Sequence, residues 1–95
     1  MHITFVKKRN PDGSTCGKCE EVERRLVRDG HMARIDDVVI ADPGDPGSAG
    51  MQLAREFNTD FAPFFVVREG REARVYAVYL KFVREVLEGR PPRGP

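Results

Sequence analysis

The apolar positions of this chain change their spacing along its length, and the changes divide it into alternating strands and helices. "HITFV" (2–6) is short, apolar and β-branched, which predicts a strand. "KKRNPDGS" carries Pro and Gly and is a loop. From Thr15 onward Cys19, Val22, Leu26 and Val27 recur at helical steps with charges between them, and "DG" at 29–30 supplies a stop, so a helix is expected. "ARIDDVVIA" (33–41) predicts a second strand. "DPGDPGSAG" (42–50) is a loop, from which Ser48 caps a short helix through about Phe57, with Met51, Ala54 and Phe57 on its apolar side.

The last third is different in kind. "PFFVV" (63–67) and "EARVYAV" (72–78) are two strands joined through "REGR", a hairpin with its Gly in the turn. Tyr79 through Gly89 follow as a final helix, with Phe82, Val83, Val86 and Leu87 apolar and Lys81, Arg84, Glu85 and Glu88 outside. "RPPRGP" cannot continue a helix, so residues 90–95 are expected to be a flexible tail on a domain spanning 1–89. The predicted class is α/β in the order βαβαββα, a mixed sheet of four strands flanked by three helices. Strands separated by helices should pair in parallel, and the terminal hairpin adds antiparallel strands.

Composition narrows the function classes. The chain has 95 residues, 40% hydrophobic and 33% charged, the profile of an ordinary globular chain. Its 16 basic and 15 acidic side chains leave a net charge of +1, which calls for neither nucleic acid nor an anionic membrane. No run approaches the roughly 18 apolar residues of a membrane span, and "MHITFVKKRN" is too short and too charged for a signal peptide. A cytoplasmic protein is expected, where a Cys-x-x-Cys pair more often serves catalysis or metal binding than structure.

The two cysteines, Cys16 and Cys19, form that pair. Cys16 falls beyond the carboxyl end of the first strand, where chemistry gathers in open α/β sheets, and at the opening of the first helix. Unpaired N–H groups and the helix dipole favour a thiolate there, with pKa values lowered to roughly 3.5–7.5 in known cases. Lys18 adds a positive charge. Cys19 lies nearly one turn further on and faces inward. That asymmetry assigns attack on a disulfide to Cys16 and resolution of the mixed disulfide to Cys19. Three other readings remain open. A zinc site needs about four ligands, and within the chain only His2 and His31 could join the cysteines. A structural disulfide would close too short a loop to restrain much chain entropy. A reduced, inert pair would be two small hydrophobes.

"TDFAPFFVV" carries a second signal. A proline opening a buried strand cannot donate to the ladder, and its place makes sense if the bond before Pro63 is cis and turns the backbone beside the cysteines. Phe57, Phe61, Phe64, Phe65 and Phe82 are expected to be core aromatics, and Phe61, just before Ala62–Pro63, is the one expected to touch a substrate. His2 and His31 are expected at the surface. Asp36, Asp37 and Asp42 are candidate acids for deprotonating Cys19, with solvated turn carboxylates as the blander reading. Arg68, Arg71 and Arg74 around the hairpin turn would keep an edge from aggregating or steer an acidic partner. The "DPGDPG" loop is either a cover over the site or an ordinary connection.

Together these residues resemble the thioredoxin/glutaredoxin superfamily, most closely its smaller glutaredoxin-like members, over residues 2 to 89. The resemblance is carried by "CGKC" after the first strand, "APFFVV" before a hairpin, and the order of elements. It implies a thioredoxin-like fold and a thiol–disulfide oxidoreductase, with Cys16 and Cys19 as the redox-active pair. It further implies Pro63 as a cis-proline facing them, and Ala62 offering its backbone to an incoming disulfide; Lys18 and Phe61 complete the candidate substrate contacts. No bound cofactor or metal is implied, only an external thiol reductant, glutathione or a protein reductase. The implied substrate is a disulfide-containing protein or a low-molecular-weight thiol, and a monomer is expected. The chain also departs from the family. Thr15 stands where thioredoxins place Trp, Gly17–Lys18 replaces the aromatic of glutaredoxin motifs, and "AVYLKF" replaces the Gly-Gly and acidic cluster that holds glutathione. The rival expectation is a thioredoxin-fold binding or redox-sensing module without turnover, with or without a bridging metal.

Overall fold

The first strand, β1 (His2–Lys8), has a neighbour on each side, and Ile3–Val6 within it are accordingly buried. β2 (Asp37–Ala41) pairs with it in parallel, from Thr4 opposite Asp37 to Lys8 opposite Ala41. β3 (Phe64–Glu69) pairs with its other edge antiparallel, Phe5 opposite Phe65. β4 (Glu72–Tyr76) completes the sheet antiparallel to β3, giving the strand order β2-β1-β3-β4. The computed structural model describes residues 1–59 and 63–89.

Strand alternation sorts the core into two layers. Ile3, Phe5, Phe65 and Val67 face one side of the sheet and pack with Leu26, Tyr79, Phe82 and Val86. Val6, Phe64, Val66 and Ala41 face the other and pack with Met51, Leu53 and Ala54. The first layer is thus covered by α1 (Gly17–Arg28) and by α3 (Tyr79–Phe82), which widens into a π-helix over Val83–Leu87. The second is covered by α2 (Ala49–Glu56). The result is a mixed four-stranded sheet flanked by three helices. Phe65 is the centre of the first layer. Its ring stacks on Phe5 at 5.0 Å and on Phe82 at 3.9 Å between centroids. Such aromatic pairs contribute about 0.5–1.5 kcal/mol each beyond simple burial.

The helix ends follow from local sequence. After α1, Gly30 at φ 74° lets its N–H reach Val27 and the His31 N–H reach Leu26, a Schellman ending. After α2, Asn58 takes the same role at φ 51°, with Thr59 N–H on Ala54 and Asn58 N–H on Arg55. Gly70, at φ 60°, occupies the first central position of the two-residue turn between Glu69 and Glu72, the conformation a tight hairpin needs. The buried Tyr79 hydroxyl donates to Asp29 at 3.1 Å and ties α3 to the end of α1.

Several expected boundaries shift. The second strand is shorter than 33–41. Met32–Arg34 form a 3-10 turn, and Asp36 is spent at the sheet edge, its side chain accepting from Ile3 N–H at 2.7 Å while its own N–H donates to Ile3 at 2.8 Å. The first strand runs two residues beyond Val6, to Lys8. The third reaches Glu69, and the fourth stops at Tyr76 because Val78 already accepts the first bond of α3, from Phe82 N–H. Thr15 lies outside the first helix, whose N-cap is Cys16. Val27 is 63% exposed, one position off the stripe formed by Cys19, Val22 and Leu26. Ser48 caps α2 by position alone; its hydroxyl accepts instead from Asp42 N–H. The "DPGDPG" loop is two successive turns, with Asp42 and Asp45 each accepting from the glycine N–H two residues on. The proposed tail, 90–95, lies outside the described residues, as do Phe61 and Ala62. Among the described residues, no helix is long and apolar enough to cross a membrane.

α2 lies so close to β2 that only glycine fits at the contact. A Cβ on Gly50 would sit 2.3 Å from the Ala41 nitrogen, a backbone atom that cannot swing away. Gly50→Ala is therefore expected to destabilise the fold by at least the ~1–3 kcal/mol typical of overpacking. Urea unfolding with an unchanged slope and a lower midpoint would show it; an unchanged midpoint would mean that the two elements do not approach so closely.

Candidate functional site around Cys16 and Cys19

The site begins with the connection between β1 and α1, which sequence composition marks only as a loop. It is folded back on itself. Asn10 N–H donates to Ser14 at 2.7 Å, Gly13 N–H donates to Asn10 at 2.9 Å, and the Asp12 carboxylate accepts from Ser14 N–H and hydroxyl at 2.9 and 2.6 Å. Gly13 turns at φ 89°, and Arg9 and Thr15 come to form an antiparallel bridge. This returns the chain to the end of β1, where Cys16 N–H donates to the Lys8 carbonyl at 3.0 Å.

Cys16 has extended backbone angles, φ −57° and ψ 135°, while its carbonyl accepts from Glu20 N–H at 3.0 Å. It is thus the N-cap of α1, half-buried, and its sulfur stands over the first turn. No capping hydrogen bond of strict geometry reaches that sulfur. The exposed N–H groups of the turn act on it as oriented dipoles. They hold the Cys16 thiol below its ordinary pKa, chiefly through the Cys19 N–H, with Lys18 N–H, the Cys19 thiol and the Lys8 charge helping against partial desolvation.

Cys19 is in the opposite situation. It is fully buried between α1 and the sheet. Burial pushes its thiol up to about 11, because a thiolate there loses water. Two groups oppose that rise: the Lys8 N–H, which donates to the Cys19 sulfur at 3.2 Å, and the charge of Lys7. Both cysteines are unpaired thiols. The first residue of the pair is accessible and acidified, and the second is enclosed and made less acidic.

Lys18 and Pro63 are brought together. With Glu21, Val22, Arg25 and Ala77 they line a shallow cavity of about 220 Å³ beside the start of α1. A larger cavity, about 370 Å³, lies on the α2 side between Lys8, Ala41, Met51 and Phe64 and includes neither cysteine. Phe61 and Ala62, and with them the peptide bond before Pro63, fall outside the described residues.

The histidines and acids considered from sequence lie elsewhere. His2 is exposed at the far end of β1, 3.9 Å from Asp37. His31 follows α1 at the end away from the cysteines. Asp36 serves the sheet edge and Asp42 its own turn, so neither is placed to take a proton from Cys19. Among the described residues, no cluster of three or more His, Cys, Asp or Glu side chains could hold a metal ion. What sequence reasoning missed is Lys7, Lys8 and Glu23. Strand alternation does carry the signal. Lys7 shares the face of Ile3 and Phe5, toward α1, and Glu23 stands four residues after Cys19 on the same helix face.

No family model, curated protein or solved structure matches this chain.

The different environments of the thiols have a direct chemical consequence. On the reduced protein at neutral pH, iodoacetamide should alkylate Cys16 at least ~10-fold faster than Cys19, since the thiolate is the reacting form. Peptide mass mapping over a time course measures this. Equal rates at the two positions would contradict the burial and acidity assigned to them.

Proposed function

We propose that this protein is a small cytoplasmic thiol–disulfide oxidoreductase of thioredoxin-like fold, acting as a monomer and cycling Cys16–Cys19 between dithiol and disulfide. The observation that carries the proposal is the asymmetry of the pair: Cys16 half-buried at the N-cap of α1 with its acidity raised, Cys19 buried behind it with its acidity lowered. The fold-level support is the sheet order β2-β1-β3-β4 with only β1 and β2 parallel, and the placement of both cysteines at the carboxyl end of β1. Those features agree with the thioredoxin-like arrangement implied by the sequence resemblance.

In this reading the Cys16 thiolate attacks one sulfur of a substrate disulfide. The substrate S–S bond breaks, a Cys16–substrate S–S bond forms, and the departing thiolate takes a proton from water. Cys19, once ionised, attacks the Cys16 sulfur, closes the Cys16–Cys19 bond and expels the second substrate thiol. Two electrons have then moved from the protein dithiol to the substrate. An external thiol reductant, glutathione or a protein reductase, restores the dithiol by the reverse steps. Lys18 and Pro63, which line the same shallow cavity along α1, are the proposed substrate contacts from the described residues, and Phe61 and Ala62 complete the set from sequence. The substrate is a disulfide-bearing protein or a low-molecular-weight disulfide, and no resident cofactor takes part.

Turnover of a protein disulfide, with dithiothreitol as the external reductant, distinguishes this reading from a docking module. The wild type should turn over, Cys16→Ser should fall to the uncatalysed background, and Cys19→Ser should accumulate a mixed disulfide through Cys16 that mass spectrometry identifies. A Cys16→Ser variant as active as wild type would refute the assignment. Absence of turnover together with stoichiometric metal binding through the cysteines would replace it with the binding-module reading.

A further inference from the structure

One ion pair beside the site has a place that the thiol chemistry above leaves unexplained. Lys7 Nζ lies 2.7 Å from Glu23 Oε1 and 3.4 Å from Oε2. The two side chains are only 18% and 33% exposed, so the pair is screened far less than a surface bridge. It spans from the end of β1 to the middle of α1, on the face of the helix that also carries Cys19. The peptide N–H that meets the Cys19 sulfur at 3.2 Å belongs to the bond joining Lys7 to Lys8. Lys7 is therefore held beside the resolving thiol by the same piece of backbone that binds it. Its ammonium is held in turn by Glu23, one helical turn beyond Cys19.

We propose that the Lys7–Glu23 pair sets how readily Cys19 attacks the mixed disulfide, Lys7 favouring its thiolate and Glu23 restraining that effect. The inference rests on the thiol–disulfide reading and adds to it two positioning residues that act through Cys19. The physical reasoning is Coulombic. A buried sulfur forms a thiolate reluctantly, and a cation close by in a medium of low effective dielectric lowers that cost. The carboxylate of Glu23 cancels part of the cation's field and adds a repulsion of its own. The two residues must therefore act in opposite directions although they are bonded to each other. A purely structural ion pair would behave otherwise, since breaking it from either side would loosen the same contact.

The other groups facing Cys19 are few. From β1 comes the Lys8 N–H; from α1 comes Cys16; and on the side of the sheet that α1 covers, β3 presents Phe65 and Val67, which do not titrate. In the resolving step the proton of Cys19 goes to solvent. The Cys19 thiolate forms a bond to the Cys16 sulfur, the bond between Cys16 and the bound thiol breaks, and that thiol leaves with the electron pair.

The test uses a preformed mixed disulfide between Cys16 and thionitrobenzoate on the full chain. Its intramolecular release of the yellow thiolate is followed by stopped flow across pH. Lys7→Met should slow release by roughly 3- to 10-fold at neutral pH and move the rise of the rate to higher pH. Glu23→Gln should speed release by a similar factor and move the rise to lower pH. Lys7→Arg, which keeps the charge, should recover most of the wild-type rate, which separates charge from folding. Loading of Cys16 by the reagent should change less than release in every variant. Changes of the same sign in Lys7→Met and Glu23→Gln, or no change in either, would overturn the proposal and leave the thiol–disulfide reading standing. A wild-type protein whose Cys16 takes no label would instead remove that reading itself.

Discussion

One residue at the end of the central strand holds both cysteines. The carbonyl of Lys8 accepts from Cys16 N–H at 3.0 Å, and its N–H donates to the Cys19 sulfur at 3.2 Å. A backbone position can do this only if it is itself immobile. β1 supplies that by pairing on both edges, to β2 through Ala41 and to β3 as far as Phe64, with its apolar residues buried. The α1 helix is fixed from the other end by Leu26 in the core and by the Asp29–Tyr79 bond to α3. The thiols are thus suspended between a rigid strand and a helix anchored at both ends, and their different exposures follow from that suspension.

The electrostatics then need little else. The same first turn of α1 that exposes oriented N–H groups to Cys16 carries Cys19 into the interior, three residues on and almost one full turn around. One thiol gains dipoles and keeps contact with water, whereas the other loses water and gains a single N–H. No carboxylate from β2 reaches the pair. The charged groups that bear on it most directly are the lysines that end β1, one of which, Lys7, is held by Glu23. The short turn formed by Asn10, Asp12, Gly13 and Ser14 is what permits this, because it returns the chain to Lys8 before the helix begins.

Much of this was legible in the sequence. The spacing of Cys19, Val22 and Leu26 marked the buried face of α1, "REGR" marked the hairpin, and Pro and Gly marked the loops. What was not legible has physical causes. Val27 fits a step of three or four from its neighbours, yet it lies about 100° around the helix from Leu26, which tertiary contact alone reveals. In 33–41 the apolar residues alternate well enough for a strand, but the Schellman ending at Gly30 and the use of the Asp36 side chain by Ile3 consume the first half of the segment. Ending the first strand at Val6 placed Lys7 and Lys8 in a loop and so concealed the contacts that govern Cys19. Alternation continued by two residues would have put Lys7 on the helix side.

The central claim is that one fold gives two neighbouring thiols opposite acidities. Thiolate absorbance of the reduced, metal-free protein, titrated over pH with Cys16→Ser and Cys19→Ser alongside, tests it most directly. The account predicts two separate rises. The lower lies below the ordinary thiol value and is lost in Cys16→Ser; the upper lies near 11 and is lost in Cys19→Ser. A single rise at the ordinary value, about 8.5, with both thiols titrating together, would contradict it.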